Sequence, residues 1–150
     1  MYQLFLYVHV ICAVIWVGGA VYAQLLAVRV TRSPDPTELP RLARHIEYIG
    51  TRVFGPVALL LFLAGVGMTL QAWSFGQAWI ALAVALWVLS AVLGAVYLGP
   101  RVKRAAELFE VEGPTSKSGR ELIDRLFLVS RLELVSFAII IALMTFKPGA

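Results

Sequence analysis

The sequence predicts an all-α fold, one integral membrane domain over 1–150 built as a bundle of four transmembrane helices, and three observations carry that prediction. Residues 4–28 hold no formal charge, and at about 1.5 Å per residue such a run crosses a hydrocarbon core of about 30 Å. A second uncharged stretch reaches from Val53 to Pro100, too long for one helix and interrupted midway by Gln71, Ser74, Gly76 and Gln77. Hydrophobic residues make up 60% of the chain and the mean hydropathy is +0.83, more apolar surface than a soluble core of 150 residues can hide, so the solvent is lipid.

The first span is expected over 4–28. Val21-Tyr22-Ala23 imitates a cleavage site, but the stretch lacks a basic leader and exceeds the ~7–15 apolar residues of a signal peptide, so it is read as a mature helix. A polar loop follows from Arg29 to about Pro40, where Ser33-Pro34-Asp35-Pro36 cannot continue a helix. Leu42, Ile46, Ile49 and Val53 then recur at helical spacing while Arg41, Arg44, Glu47 and Tyr48 fall elsewhere, which predicts an amphipathic helix leading into the second span, 53–70. Gly55-Pro56 in its first turn predicts either a fresh helix start or a kink. A tight hairpin, bracketed by Trp73 and Trp79 as interfacial tryptophans, leads to the third span, 78–98.

The second polar loop, 99–131, is expected to stay helical to about Val111, to turn through Glu112-Gly113-Pro114, and to restart at the capping-box spacing of Ser118 and Glu121. The fourth span is 132–146. Arg131 and Glu133 stand at its entrance, either at the interface or buried against other helices. Of thirteen Lys and Arg residues, five lie in loop 29–52 and seven in loop 99–131, a bias that puts both loops in the cytoplasm and both termini outside. This membrane-flanking pattern, and not nucleic-acid binding, accounts for the net charge of +4. Gly19-Ala20-Val21-Tyr22 recurs as Gly94-Ala95-Val96-Tyr97 and Met68-Thr69 as Met144-Thr145, an offset of 75 or 76 residues that suggests two repeated helical hairpins.

His9 is the first functional candidate, because an imidazole in a hydrocarbon-spanning run is costly unless it has a partner. His9, Cys12, Ala13, Trp16, Ala20 and Gln24 share one face of the first helix, which is expected to look inward while Leu6, Val10, Val17 and Val21 meet lipid. Its small residues, with Gly18 and Gly19, would admit a neighbouring backbone or a flat ligand. Met68 and Met144 fall near the same end of the bundle, so His9 with a methionine could ligate haem iron, or with Cys12 and a methionine could hold Cu(I). The competing reading is a histidine that hydrogen-bonds across the bundle on a face that only packs helices. His45, amid Arg41, Arg44 and Glu47, reads as a solvated interfacial residue. Arg52, Arg131 and Glu133 gather at the inner edge, as anchors or as a site for an anionic group. The lone Cys12 allows no intrachain disulfide, and no phosphate loop, G-x-S-x-G or H-E-x-x-H motif is present.

At His9-x6-Trp16-x-Gly18-Gly19 the chain resembles a group of small bacterial inner-membrane proteins that includes a predicted integral membrane family and, more remotely, the copper-resistance D and HemJ-type protoporphyrinogen oxidase families. Arg44-His45-Ile46-Glu47-Tyr48 ahead of Gly55-Pro56, and the terminal Phe146-Lys147-Pro148, fall where the HemJ-type layout places them. The resemblance implies a multi-pass protein of the bacterial inner membrane with b-type haem held by His9 in a redox role; Trp16 shares the helix face of His9, and Met68 or Met144 is available as second ligand by depth. The copper-resistance likeness implies the alternative, a non-catalytic membrane subunit or a copper-handling protein. HemJ-type proteins carry a lysine ligand in the third helix. The matching place here is about Trp79, and this span has no lysine. Beyond the lipid bilayer, a membrane redox partner and a second copy of the chain both stay open as partners.

Overall fold

In a computed structural model describing residues 1–149, the uncharged runs and the polar loops merge into four helices of 30, 35, 35 and 30 residues, Tyr2–Thr31, Glu38–Ala72, Ala78–Glu112 and Lys117–Phe146. Each is long and apolar enough to cross a membrane, so the all-α, four-span architecture expected from the sequence is the one observed. The second and third are each divided by a stretch of wider, π-helical turn. The elements are therefore α1 (Tyr2–Thr31), α2 (Glu38–Ile49), a π segment (Gly50–Phe54), α3 (Gly55–Ala72), α4 (Ala78–Val92), a second π segment (Leu93–Leu98), α5 (Gly99–Glu112) and α6 (Lys117–Phe146).

The first polar loop is much shorter than expected. Pro40 does not end it but sits in the first turn of α2, where a missing N–H costs little, so only residues 32–37 are non-helical. Within that turn Asp35 accepts from the Thr37 backbone N–H and hydroxyl, both at 2.8 Å, and these bonds hold its carboxyl below the usual carboxylate value. The last helix also begins earlier than expected. The capping hydroxyl is that of Ser116, which accepts from the Gly119 N–H at 3.0 Å and donates to the Glu112 carboxylate at 2.5 Å, whereas Ser118 lies inside the first turn. Ser116 wins because its hydroxyl also meets the carboxylate at the end of α5, a tie that Ser118 does not make.

Both π segments end at a Gly-Pro pair, Gly55-Pro56 and Gly99-Pro100. Proline offers no N–H to the carbonyl four residues back and its ring crowds that carbonyl, so the preceding turn opens. Gly55 instead donates to the Gly50 carbonyl and Gly99 to the Gly94 carbonyl, each five residues back. The kink expected at Gly55-Pro56 thus takes the form of a widened turn. The apolar stripe predicted for α2 stops short of it: Leu39, Leu42 and Ala43 are buried and Ile46 packs beside them, but Ile49, the last residue of α2, and Val53, inside the π segment, are exposed.

The bundle has two packing levels along its axis. At the end rich in charge, Ala27 and Val30 of α1, Leu39, Leu42 and Ala43 of α2, Val102, Ala105, Ala106 and Phe109 of α5, and Ile123, Leu126 and Phe127 of α6 form one tightly closed core. Arg44 ties its outer surface together, pairing with Glu47 at 2.7 Å and with Glu110 across α5; the Glu110 and Glu47 carboxylates raise the guanidinium above its ordinary value. At the other end, the apolar level packs α3 on α1, α1 on α6 and α6 on α4. The two helices of the Gln71–Gln77 hairpin thus lean mainly on different neighbours, bridged by the Phe62 and Trp87 rings stacked at 4.4 Å. Trp73 and Trp79 meet edge to face at 5.4 Å, and Trp79 is buried where an interfacial residue was expected. The repeated words differ in setting: Gly19–Tyr22 lies in a regular helix, Gly94–Tyr97 in a π segment.

Candidate functional site

The predicted inward face of α1 is inward for Cys12, Trp16 and Gln24, which are buried, and half-buried for His9, Ala13 and Ala20. Leu6, Val10 and Val21 are exposed as expected. Val17 is not: it packs with Trp16, Phe54, Leu61 and Phe137 in the apolar-level cluster, because that cluster wraps further round the helix than the histidine-centred face suggested.

His9 makes a bond across the bundle. Its Nδ1 lies 2.9 Å from the Leu61 carbonyl oxygen on α3. A carbonyl can only accept, so Nδ1 carries the proton and Nε2 is left as the imidazole lone pair. The ring comes this close because position 65 has no side chain: a Cβ there would stand 3.2 Å from His9 Cε1. Sequence reasoning named the histidine but missed both Leu61 and Gly65. A backbone acceptor leaves no trace in residue types, and the only available signal was the Gly65-x-Gly67 spacing on α3.

The other candidate residues make no observed bond to this contact. Trp16 is buried with its ring 4.8 Å from that of Phe137. Cys12 is buried in the same cluster. Met68 lies three residues beyond Gly65, and Met144 is in the last turn of α6; both are half-buried.

A haem at His9 requires a free imidazole nitrogen, and the small residues of the bundle were expected to admit its flat ring. The nitrogen is present in the required tautomer. That opening is not at Gly18-Gly19, because a Cβ on Gly19 would stand 2.6 Å from the Phe54 ring, which already fills that notch, while Gly18 faces open space. Gly67 is likewise closed by Phe5, whose ring would lie 2.8 Å from a Cβ at that position. Gly19 and Gly67 therefore receive the protein's own aromatic rings. No three His, Cys, Asp or Glu side chains come together as a metal site among the described residues, a grouping different from the copper set of His9, Cys12 and a methionine, which includes a thioether.

At the inner edge, Arg52, Arg131 and Glu133 form no ion pairs with one another among the described residues. Arg131 instead donates through Nε to Gln24 Oε1 at 3.4 Å, and Gln24, buried between α1 and α6, donates to the Phe127 carbonyl at 3.2 Å. His45 is exposed, as expected, in a shallow groove with Arg41, Arg44 and Phe109.

Compared with known proteins, residues 3–148 match the model of a family described as "Predicted integral membrane protein (DUF2269)". No curated protein and no solved structure matches.

Proposed function

The chain belongs to the DUF2269 family of predicted integral membrane proteins, and on that premise we propose that it is a bacterial inner-membrane haem protein, with His9 Nε2 as an axial ligand and a redox role. The observation that carries this reading is the bond from His9 Nδ1 to the Leu61 carbonyl, since a ligating imidazole is normally fixed by its second nitrogen on a carbonyl or carboxylate. In this reading Leu61 sets the tautomer and Gly65 admits the ring, while the Trp16–Phe137 pair packs two turns further along α1. A bound b-type haem would supply one-electron transfer. Purified wild type from cells supplied with haem precursor is expected to show a Soret band that His9→Ala removes while the variant keeps its elution volume and helicity. A wild type without the band would return His9 to the second reading, which the Gly65 notch favours: a packing histidine satisfied across the bundle. A band undiminished in the variant would remove His9 as ligand.

The orientation belongs to the same proposal. Twelve of thirteen basic residues lie in 29–52 and 99–131, supporting a cytoplasmic position for the charged core and an outside position for both termini. A reporter active only outside the cytoplasm, fused after Gly149, is expected to be active, and one that works only in the cytoplasm silent. The reverse result would invert the topology.

A further inference from the structure

Between the last turns of α1 and the first half of α6 lies a cleft of about 280 Å³, lined by Ala27, Thr31, Asp124, Phe127, Leu128 and Arg131. Its walls carry charges of both signs that do not neutralise each other. Asp124 and Arg131 are two helical turns apart on one face of α6, and neither is in an ion pair among the described residues. The Arg131 Nε is held by Gln24 Oε1, and Gln24 is in turn fixed to the Phe127 carbonyl, so the guanidinium is positioned while its two terminal nitrogens keep their donors free. Thr31 spends its hydroxyl proton on the Ala27 and Val28 carbonyls, which leaves its oxygen able only to accept.

The order of these groups along the membrane normal selects a ligand. From Asp124 to Arg131 the helix climbs about 10 Å from the charged end toward the apolar span, so the cation stands nearer the hydrocarbon and the anion nearer water. A glycerophospholipid with an amine headgroup has the complementary order, with its phosphate next to the acyl region and its ammonium further out. Past Arg131, the same face of α6 continues through Val135 and Ile139, which are 58% and 45% exposed and give an acyl chain a surface to follow.

We infer that this cleft binds one phosphatidylethanolamine molecule of the surrounding leaflet, with its phosphate on the Arg131 guanidinium and its ammonium on the Asp124 carboxylate, Thr31 offering a second acceptor. A primary ammonium can donate to Asp124 with opposite charge, a choline group has no N–H to donate, and the glycerol of phosphatidylglycerol offers the carboxylate only uncharged hydroxyls.

The test is native mass spectrometry of the full chain released from detergent after exposure to equimolar phosphatidylethanolamine, phosphatidylcholine and phosphatidylglycerol of matched chains. Wild type is expected to retain one phosphatidylethanolamine with a preference of about threefold or more, the order that one partly exposed charge pair provides. Asp124→Asn, at an exposed position that does not support the core, should bring phosphatidylethanolamine and phosphatidylcholine to equal retention. Arg131→Gln should lower the retention of all three lipids, and Arg125→Gln, an exposed cation outside the cleft, should change nothing. A wild type that prefers phosphatidylglycerol, or shows no preference, overturns the inference. So does an Asp124→Asn variant that keeps the wild-type ranking.

Discussion

Valine at position 19 is expected to disrupt the bundle while valine at position 18 is tolerated. The two glycines are adjacent in sequence and opposite in surroundings: a Cβ at 19 would lie 2.6 Å from the Phe54 ring, and one at 18 meets nothing within 4 Å. A side chain forced onto a packed aromatic ring costs about 1–3 kcal/mol through displaced neighbours, and here the ring is anchored in the π segment that joins α2 to α3. Thermal melting in detergent, followed by size-exclusion chromatography, should show Gly19→Val shifted well below wild type and Gly18→Val close to it. Phe54→Ala opens a void of its own, but combined with Gly19→Val it should cost less than the sum of the single changes, by about 1 kcal/mol or more. Equal losses at 18 and 19, or strict additivity with Phe54→Ala, would mean that the ring does not occupy that notch.

The second large effect lies at the charged end. Ile123 is 1% exposed in the core formed by α1, α2, α5 and α6, and Ile123→Ala should cost about 2–4 kcal/mol from lost contacts and the cavity left behind. Ile139, on the same helix but 45% exposed within the span, should lose less than about 1 kcal/mol on the same truncation, because a side chain facing lipid gains little from burial. Trypsin cleavage after Arg32, in the turn between α1 and α2, reports on this core. The Ile123→Ala variant should be cut markedly faster and Ile139→Ala at the wild-type rate. Similar cleavage of both would place the stabilising contacts elsewhere.

The four helices were legible because lipid imposes a composition and a length, and neither needs tertiary information. The charged core was only half legible. The stripe of Leu42 and Ile46 showed that α2 had a buried side, but its partners on α5 and α6 are 56 or more residues away in sequence and announce themselves by no shared motif. Val17 was misplaced because a face drawn around His9 assumes that a single neighbour covers α1, whereas the cluster there draws on α3, α4 and α6 together. At the site, the histidine was visible as a costly side chain in hydrocarbon. Its acceptor, the Leu61 carbonyl, was not, since every residue supplies a carbonyl. Gln24 stood on the predicted inner face and Arg131 at the predicted inner edge, yet their bond depends on the approach of α1 to α6, which spacing within one helix does not reveal.

The two widened turns give the long helices a property that ordinary helices lack. A regular helix advances about 100° per residue, so the azimuth of its far half is fixed by counting from its near half. Each π segment holds one more residue in a turn than that count allows, and so acts as an angular offset between the half that faces water and the half that faces lipid. Removing a single residue between Gly50 and Phe54 would therefore do more than delete one contact. It would swing every side chain of α3 by about a third of a revolution relative to α2, carrying Leu61 and Gly65 away from His9 while shortening the 35-residue helix by a single residue. The chain thus encodes the aim of its histidine contact in the number of residues between two glycines.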